Sequence, residues 1–172
     1  MLFNTIKSDN ILLNYSKSGD LLMDIISKEG IYSFLPVNLK NKFNVSVVEK
    51  TDSTNLMLKN MALNGAEEGT VVVAGEQTAG IGRMGRSFFS PGNTGIYMSI
   101  LLEPEIKPEK SVFITTAAAV AVCKALEKNG VENAGIKWVN DIYIKGKKVC
   151  GILTQGNINP QSQELDFAIL GI

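Results

Sequence analysis

Apolar and polar positions along this chain change period several times, and each change marks an element. Leu21, Leu22, Ile25 and Ile26 recur at helical spacing, which predicts an amphipathic helix ended by Gly30, with Pro36 breaking the pattern beyond it. Residues 45–48 are a short β-branched run and predict a strand. Asp52 or Ser53 is placed to cap a helix over 54–63, with Gly65 just past its end. Residues 70–74 read as a buried strand, 75–95 as a long glycine-rich loop, and 95–102 as the next strand. Pro108 and Glu109 open a long helix through Lys128, closed by Asn129-Gly130. Residues 136–138 predict a short strand, and 142–144 with 147–153 a hairpin turned at Lys145-Gly146. A final strand covers 165–169. Strands joined by both helices and a hairpin imply an α+β fold, a mixed β-sheet with helices packed on it.

Composition narrows the chemistry. The 172 residues are 45% hydrophobic and 20% charged, which suits a globular domain with a sizeable core. Lys plus Arg and Asp plus Glu both total 17, so no overall field favours nucleic acid or an anionic membrane. There is no histidine. That removes imidazole bases, Ser-His-Asp and Cys-His nucleophile systems, and His-ligated zinc. Lys, Arg, carboxylates, amides and backbone remain, a set suited to phosphate and carboxylate handling. Cys123 and Cys150 sit in apolar contexts without metal-like spacing and read as small buried hydrophobes in a reducing cytoplasm. Residues 1–26 interleave polar residues with Leu and Ile, unlike a signal peptide. The longest apolar stretch, 112–123, is shorter than the ~18 residues a membrane span needs.

Three segments carry candidate chemistry. Gly80-Ile81-Gly82-Arg83-Met84-Gly85 spells G-x-G-x-x-G, but the turn-rich residues 86–95 follow it where a dinucleotide site needs a helix. Two arginines among glycines, next to Phe88 and Phe89, read instead as an anion-binding lid, with a plain surface loop as the alternative. Lys137, Trp138, Asn140 and Asp141 sit at a strand-to-turn junction; ordinary turn chemistry explains them as well as function does. Lys148, Cys150 and Ile152 share one face by the two-residue period, which puts a cation at an apolar edge, there to snorkel or to meet a ligand. Ser53-Thr54-Asn55 either cap a helix or recognise a small polar ring.

Taken in order, these segments resemble the catalytic module of the biotin protein ligase (biotin–[acetyl-CoA-carboxylase] ligase) family. The run is Ser53-Thr54-Asn55, then Glu76-Gln77-Thr78-Ala79-Gly80-Ile81-Gly82-Arg83-Met84-Gly85-Arg86, Phe89-Ser90-Pro91 and Ile96-Tyr97-Met98-Ser99. Lys137-Trp138-Val139-Asn140-Asp141-Ile142-Tyr143 and Lys147-Lys148-Val149-Cys150-Gly151-Ile152-Leu153 complete it. The resemblance implies a class II aminoacyl-tRNA synthetase/biotin synthetase-like fold. It also implies an enzyme that uses ATP and Mg²⁺ to convert biotin to biotinyl-5′-AMP. The biotinyl group then passes to a lysine of a biotin carboxyl carrier domain of acetyl-CoA carboxylase or a related carboxylase. An ionised carboxylate attacks phosphorus in the first step, so a chain without histidine suits it.

By motif position, the resemblance implies that Ser53, Thr54, Asn55 and Gln77 bind the ureido end of biotin. Gly80, Ile81, Gly82 and Arg83 close over its tail, and Lys148 bridges its carboxylate and the α-phosphate; Lys148 and Arg83 are the catalytic candidates. Arg86, Lys137, Asn140 and Asp141 arrange the triphosphate, Asp141 being the metal candidate. Residues 137–148 hold four Lys against one Asp, a local positive excess where ATP is expected. Ile81 stands where the family usually has Arg, so weaker lid ordering is expected. Val139 replaces a usual Pro, so a looser turn at Asn140 is expected. Residues 1–40 read as an N-terminal appendage, a remnant of a regulatory domain or an unrelated one, and 41–172 as the catalytic domain. Residues 167–172 resemble the strand entering the family's next conserved element, so that domain is expected to be incomplete at its C-terminus. The first segment lacks Arg, so DNA binding is not expected, while a homodimer is allowed. The alternatives are a biotin-binding fragment without ligase activity and a lipoate or octanoyl-type ligase or transferase of the same superfamily.

Overall fold

The computed structural model describes residues 26–172 apart from Asn93. Leu21, Leu22 and Ile25 of the predicted first helix lie outside the described residues. Gly30, expected to end that helix, lies inside another: α1 spans Lys28–Phe34. Ser27 is the reason, because its Oγ accepts from Gly30 N at 3.0 Å and so starts a helix just where one was expected to stop. Pro36 begins the short α2, Val37–Lys40. The Tyr32 hydroxyl donates to Phe43 O at 2.6 Å, accepts from Val45 N at 3.3 Å, and so ties α1 to the strand that follows.

That strand, β1 (Asn44–Thr51), leads into α3 (Thr54–Leu63) and β2 (Thr70–Gln77). Then come β3 (Tyr97–Leu102), α4 (Val112–Lys128), β4 (Gly135–Lys137), β5 (Asp141–Ile144), β6 (Lys147–Gly151), β7 (Leu153–Ile158) and β8 (Leu165–Gly171). Five strands form one sheet in the order β1-β2-β3-β8-β7, with β1 and β2 parallel and the other pairs antiparallel. The remaining three form an antiparallel sheet, β4-β5-β6. The expected α+β class with a mixed sheet is therefore what the chain adopts.

Burial alternates along β3 but is continuous along the first five residues of β2 and nearly so along β8. Leu58 of α3 packs on Val72, Leu101, Phe167 and Ile169 of the large sheet. Ala118, Ala119 and Cys123 give α4 a small-residue face that approaches Ile142, Ile152 and Leu170, joining the two sheets. No helix among the described residues is long and apolar enough to cross a membrane.

Two expectations are corrected. Residues 147–153 are not one strand. At Ile152, 2% exposed, the chain leaves the small sheet for the large one, because Ile152 N donates to Asn140 O (2.8 Å) in place of a ladder partner. Residues 75–95 are not one loop. β2 continues to Gln77, isolated bridges join Gln77 to Ser90 and Ile81 to Ser87, and the segment folds back as a hairpin. At its tip Arg86 N donates to Arg83 O (3.3 Å), with Met84 at φ 58° and Gly85 at φ 72°. Two left-handed residues are what a type I′ hairpin turn demands, and they exclude the helix a dinucleotide motif would open.

Candidate active site

The hairpin, the start of α3, and the β6–β7 crossover enclose a cleft with about 460 Å³ of space between protein atoms, its solvent-facing mouth included. Nine of the thirteen residues named from the sequence line it: Ser53, Thr54, Asn55, Gln77, Ile81, Gly82, Arg83, Asn140 and Lys148. Phe88, Gly151, Ile152, Leu153, Gly171 and Ile172 complete the wall. A concave site with an apolar wall and a few convergent polar groups is the usual form of a small-molecule pocket.

Its polar end is buried. Ser53 occupies the N-cap position of α3, yet its side chain makes no capping bond; Asp52 Oδ1 takes Ser53 N at 2.6 Å. The cap is supplied across the fold by Gln77, whose Oε1 accepts from Thr54 N (2.8 Å) and lies 3.1 Å from Thr54 Oγ1. Gln77 Nε2 donates to Ser90 Oγ (2.9 Å). The Ser53 hydroxyl, freed from capping and 2% exposed as a residue, faces the cleft without a partner among the described residues. Capping and ligand recognition thus fall to different residues at this helix start. Behind it lie two residues to which sequence reasoning gave no role, Ser99 and Gln155. Ser99 Oγ lies 2.8 Å from Thr54 Oγ1 and 2.6 Å from Asn55 Oδ1, and Asn55 Nδ2 donates to Gln155 Oε1 (2.8 Å). A serine at a fully buried position of an alternating strand was the available signal for Ser99.

The opposite end is cationic and open. Lys148 Nζ lies 2.8 Å from Asp141 Oδ1 and 5.6 Å from the centre of the Phe88 ring. Arg83 Nη1 donates to Asn140 Oδ1 (2.8 Å), and Asn140 Nδ2 donates to Asp141 Oδ1 (2.9 Å) and Ile152 O (3.2 Å). These bonds, with Ile152 N on Asn140 O, tie down the turn that Val139 was expected to loosen. Lys148 is paired with the Asp141 carboxylate, whereas Arg83 is bonded only to the neutral Asn140 amide, which leaves its positive charge uncompensated. The even alternation predicted for β6 is broken by a register shift that pairs Cys150 with Ile142 but Lys148 with Tyr143. Cys150 packs toward α4, whereas Lys148 turns to the cleft; a bulge rather than simple alternation aims this lysine.

Four named residues stand outside the cleft wall. Gly80 supports the hairpin: a Cβ there would meet Phe88 O at 2.4 Å, and Phe88 N donates to Gly80 O at 2.7 Å. The Arg86 side chain is exposed beyond the turn. Lys137 is exposed and lies 5.3 Å above the Tyr143 ring. Asp141 backs the wall through its bonds to Lys148 and Asn140. Among the described residues no group of three or more His, Cys, Asp or Glu could hold a metal, so a cage made by protein alone does not fit. One carboxylate beside a phosphate site does fit Mg²⁺ carried by a nucleotide. Burial pushes the Cys150 thiol up to about 11, with Lys148 opposing and Asp141 and Cys123 reinforcing; it is no nucleophile near neutral pH.

The module is therefore an α+β fold with one cleft that is amide-lined at one end, apolar between, and cationic at the other. Comparison with known proteins is specific: the Biotin/lipoate A/B protein ligase family model matches residues 47–170, and the chain belongs to that family. The bifunctional ligase/repressor BirA of Bacillus subtilis (strain 168) is 42% identical over 120 residues, covering 70% of this chain and 36% of that protein. The biotin–[acetyl-CoA-carboxylase] ligase of Mycobacterium tuberculosis is 34% identical over 116 residues, 64% of this chain and 44% of that protein. Among solved structures, biotin protein ligase from Aquifex aeolicus in complex with biotin and ATP aligns with a TM-score of 0.58 at 32% identity. It covers 75% of this chain and 51% of that one. The biotin complex of the Leishmania major enzyme aligns with a TM-score of 0.60 at 27% identity, covering 74% of this chain and 54% of that one. The chain thus spans about a third to a half of the relatives it matches.

Proposed function

We propose that this chain binds biotin in the cleft and activates it with ATP to biotinyl-5′-AMP, for transfer to a lysine of a biotin carboxyl carrier domain. The observation that carries this reading is the polarity of the single cleft. Ser53, Thr54, Asn55 and Gln77 gather at one end and Arg83 and Lys148 at the other, with Ile81, Ile152 and Leu153 in the wall. Biotin has the same order: a cyclic urea, a hydrocarbon tail and a carboxylate. Relatives described as biotin ligases, and a solved relative holding biotin and ATP, support it.

In this reading the biotin carboxylate oxygen attacks the α-phosphorus of ATP, the bond to the bridging oxygen breaks, and pyrophosphate leaves with that electron pair. Lys148 sits between the two anions and offsets their repulsion, while Arg83, latched to Asn140, closes the hairpin over them. Arg86, Lys137, Asn140 and Asp141 guide the triphosphate. Mg²⁺ bound to the nucleotide would supply further charge neutralisation, with Asp141 the carboxylate that would face it. In the second step the neutral amine of the target lysine attacks the acyl carbon, AMP leaves, and the amine's proton passes to solvent or to AMP.

The test is mass spectrometry of a carrier domain incubated with this chain, ATP, Mg²⁺ and either biotin or lipoate. A mass gain of one biotinyl group supports the proposal. Lipoylation instead would move the chain to the lipoate branch. Calorimetric biotin binding without pyrophosphate release would reduce it to a binding module.

A further inference from the structure

We propose that Ser99 and Gln155 are positioning residues that fix which way the Asn55 carboxamide faces, and with it the hydrogen-bond pattern the cleft offers a ligand's polar ring. The inference rests on the biotin reading for its ligand but on ligand-free geometry for its argument. Asn55 lines the cleft; Ser99 and Gln155 do not. The Asn55 amide is held at both ends by these two. Gln155 Oε1 takes Nδ2 at 2.8 Å, and Ser99 Oγ, on a fully buried residue, lies 2.6 Å from Oδ1. The backbone of β8 shuts the Oδ1 side as well, since a Cβ on Gly171 would lie 2.1 Å from that oxygen. Oδ1 is therefore committed to the wall, and one Nδ2 hydrogen is left over among the described residues.

The same chain of bonds orients Gln77. Its Oε1 accepts from the Thr54 N–H, so Nε2 faces Ser90 and keeps one hydrogen spare. The Thr54 hydroxyl donates to Ser99 Oγ and leaves the single Ser99 hydrogen for Asn55 Oδ1. Two amides thus present N–H beside the Ser53 hydroxyl, and the ligand atom they meet is an acceptor, as the carbonyl oxygen of a cyclic urea is. Ser99 could serve Asn55 in either orientation, because a hydroxyl both donates and accepts. Gln155 decides between them by presenting Oε1.

Two readouts on the full chain test this separately from the biotin reading. In nitrogen-edited NMR of the ligand-free protein, the Asn55 side-chain NH₂ protons show NOEs to the Gln155 side chain. The contacts persist in Gln155→Glu, whose carboxylate only accepts. In calorimetry, Gln155→Glu binds biotin within about threefold of wild type, while Gln155→Leu and Ser99→Ala bind about tenfold more weakly, with ATP affinity unchanged in all three. NOEs from the NH₂ to Ser99 in place of Gln155, or equal weakening by Glu and Leu, would overturn the inference. So would a lowered Tm in Gln155→Leu with unmoved biotin affinity. A wild-type chain that shows the NMR pattern but binds no biotin overturns the biotin reading and leaves the orientation standing.

Discussion

At the polar end of the cleft Ser53, Thr54, Asn55 and Ser99 are all at most 5% exposed, and the last three are bonded across α3, β2, β3 and β7, whereas at the other end the Lys148 side chain keeps 39% of its surface. The first end is rigid by construction, because every buried hydroxyl or amide left without a partner costs about 1–3 kcal/mol. Its selectivity is set before a ligand arrives. The second end is assembled from the tip of a hairpin, a turn and a strand bulge, held by solvent-facing polar contacts that contribute little to stability. Charge there is available because it is weakly used. Under the proposed function, the first end discriminates and the second does the chemistry.

Substitutions can break that division. Lys148→Ala should have the largest effect, lowering biotin-dependent pyrophosphate release about 10³-fold while biotin still binds; undiminished release would remove Lys148 from the reaction. Gly171→Ala, next in size, drives a methyl into Asn55 Oδ1. It should cost about 2 kcal/mol in urea unfolding and abolish biotin binding, so native-like affinity would show that the polar end is adaptable after all. Arg83→Ala removes only the latch to Asn140. We expect about a tenfold rise in the KM for ATP at low salt, a ratio that shrinks as salt screens the wild-type charge, and a Tm close to wild type.

The smallest effect concerns Cys150. Its pKa is about 11 in the fold against an ordinary 9.0, so folding favours the protonated thiol. That contribution is complete below about pH 9 and is lost as pH rises through 11. Urea midpoints should fall over that window in wild type and less in Cys150→Ala. An identical pH dependence in the two would show that Cys150 does not carry the change.

Local signals were legible wherever the elements are local. Thr54–Leu63 has the predicted bounds, and α4 ends at Lys128 before Asn129-Gly130, because caps and stops are written in neighbouring residues. The Ser-Thr-Asn, Gly-Arg and Lys-x-x-Asn-Asp segments could be named as candidate chemistry for the same reason. What misled was also local: Gly30 looked like a helix stop because the Ser27 cap was not weighed against it. The glycine segment looked like a loop because its bridges join residues that are 6 and 13 positions apart. Ser99 and Gln155 carried no motif that assigned them a role, since their meaning lies in contacts 44 and 100 residues distant along the chain.

The sequence by itself determined most of the elements, the absence of imidazole chemistry, and the pool of cations and amides, since composition and short-range spacing suffice for these. Only the tertiary structure decided which of them meet. It turned Lys148 inward through a bulge, split 147–153 between two sheets, and gave the helix cap to Gln77 so that Ser53 could face the cleft. The first lies in the register of the β5–β6 hairpin, the second in the bond from Ile152 N to Asn140 O, and the third in a contact between α3 and β2, none of which the period of a single segment encodes.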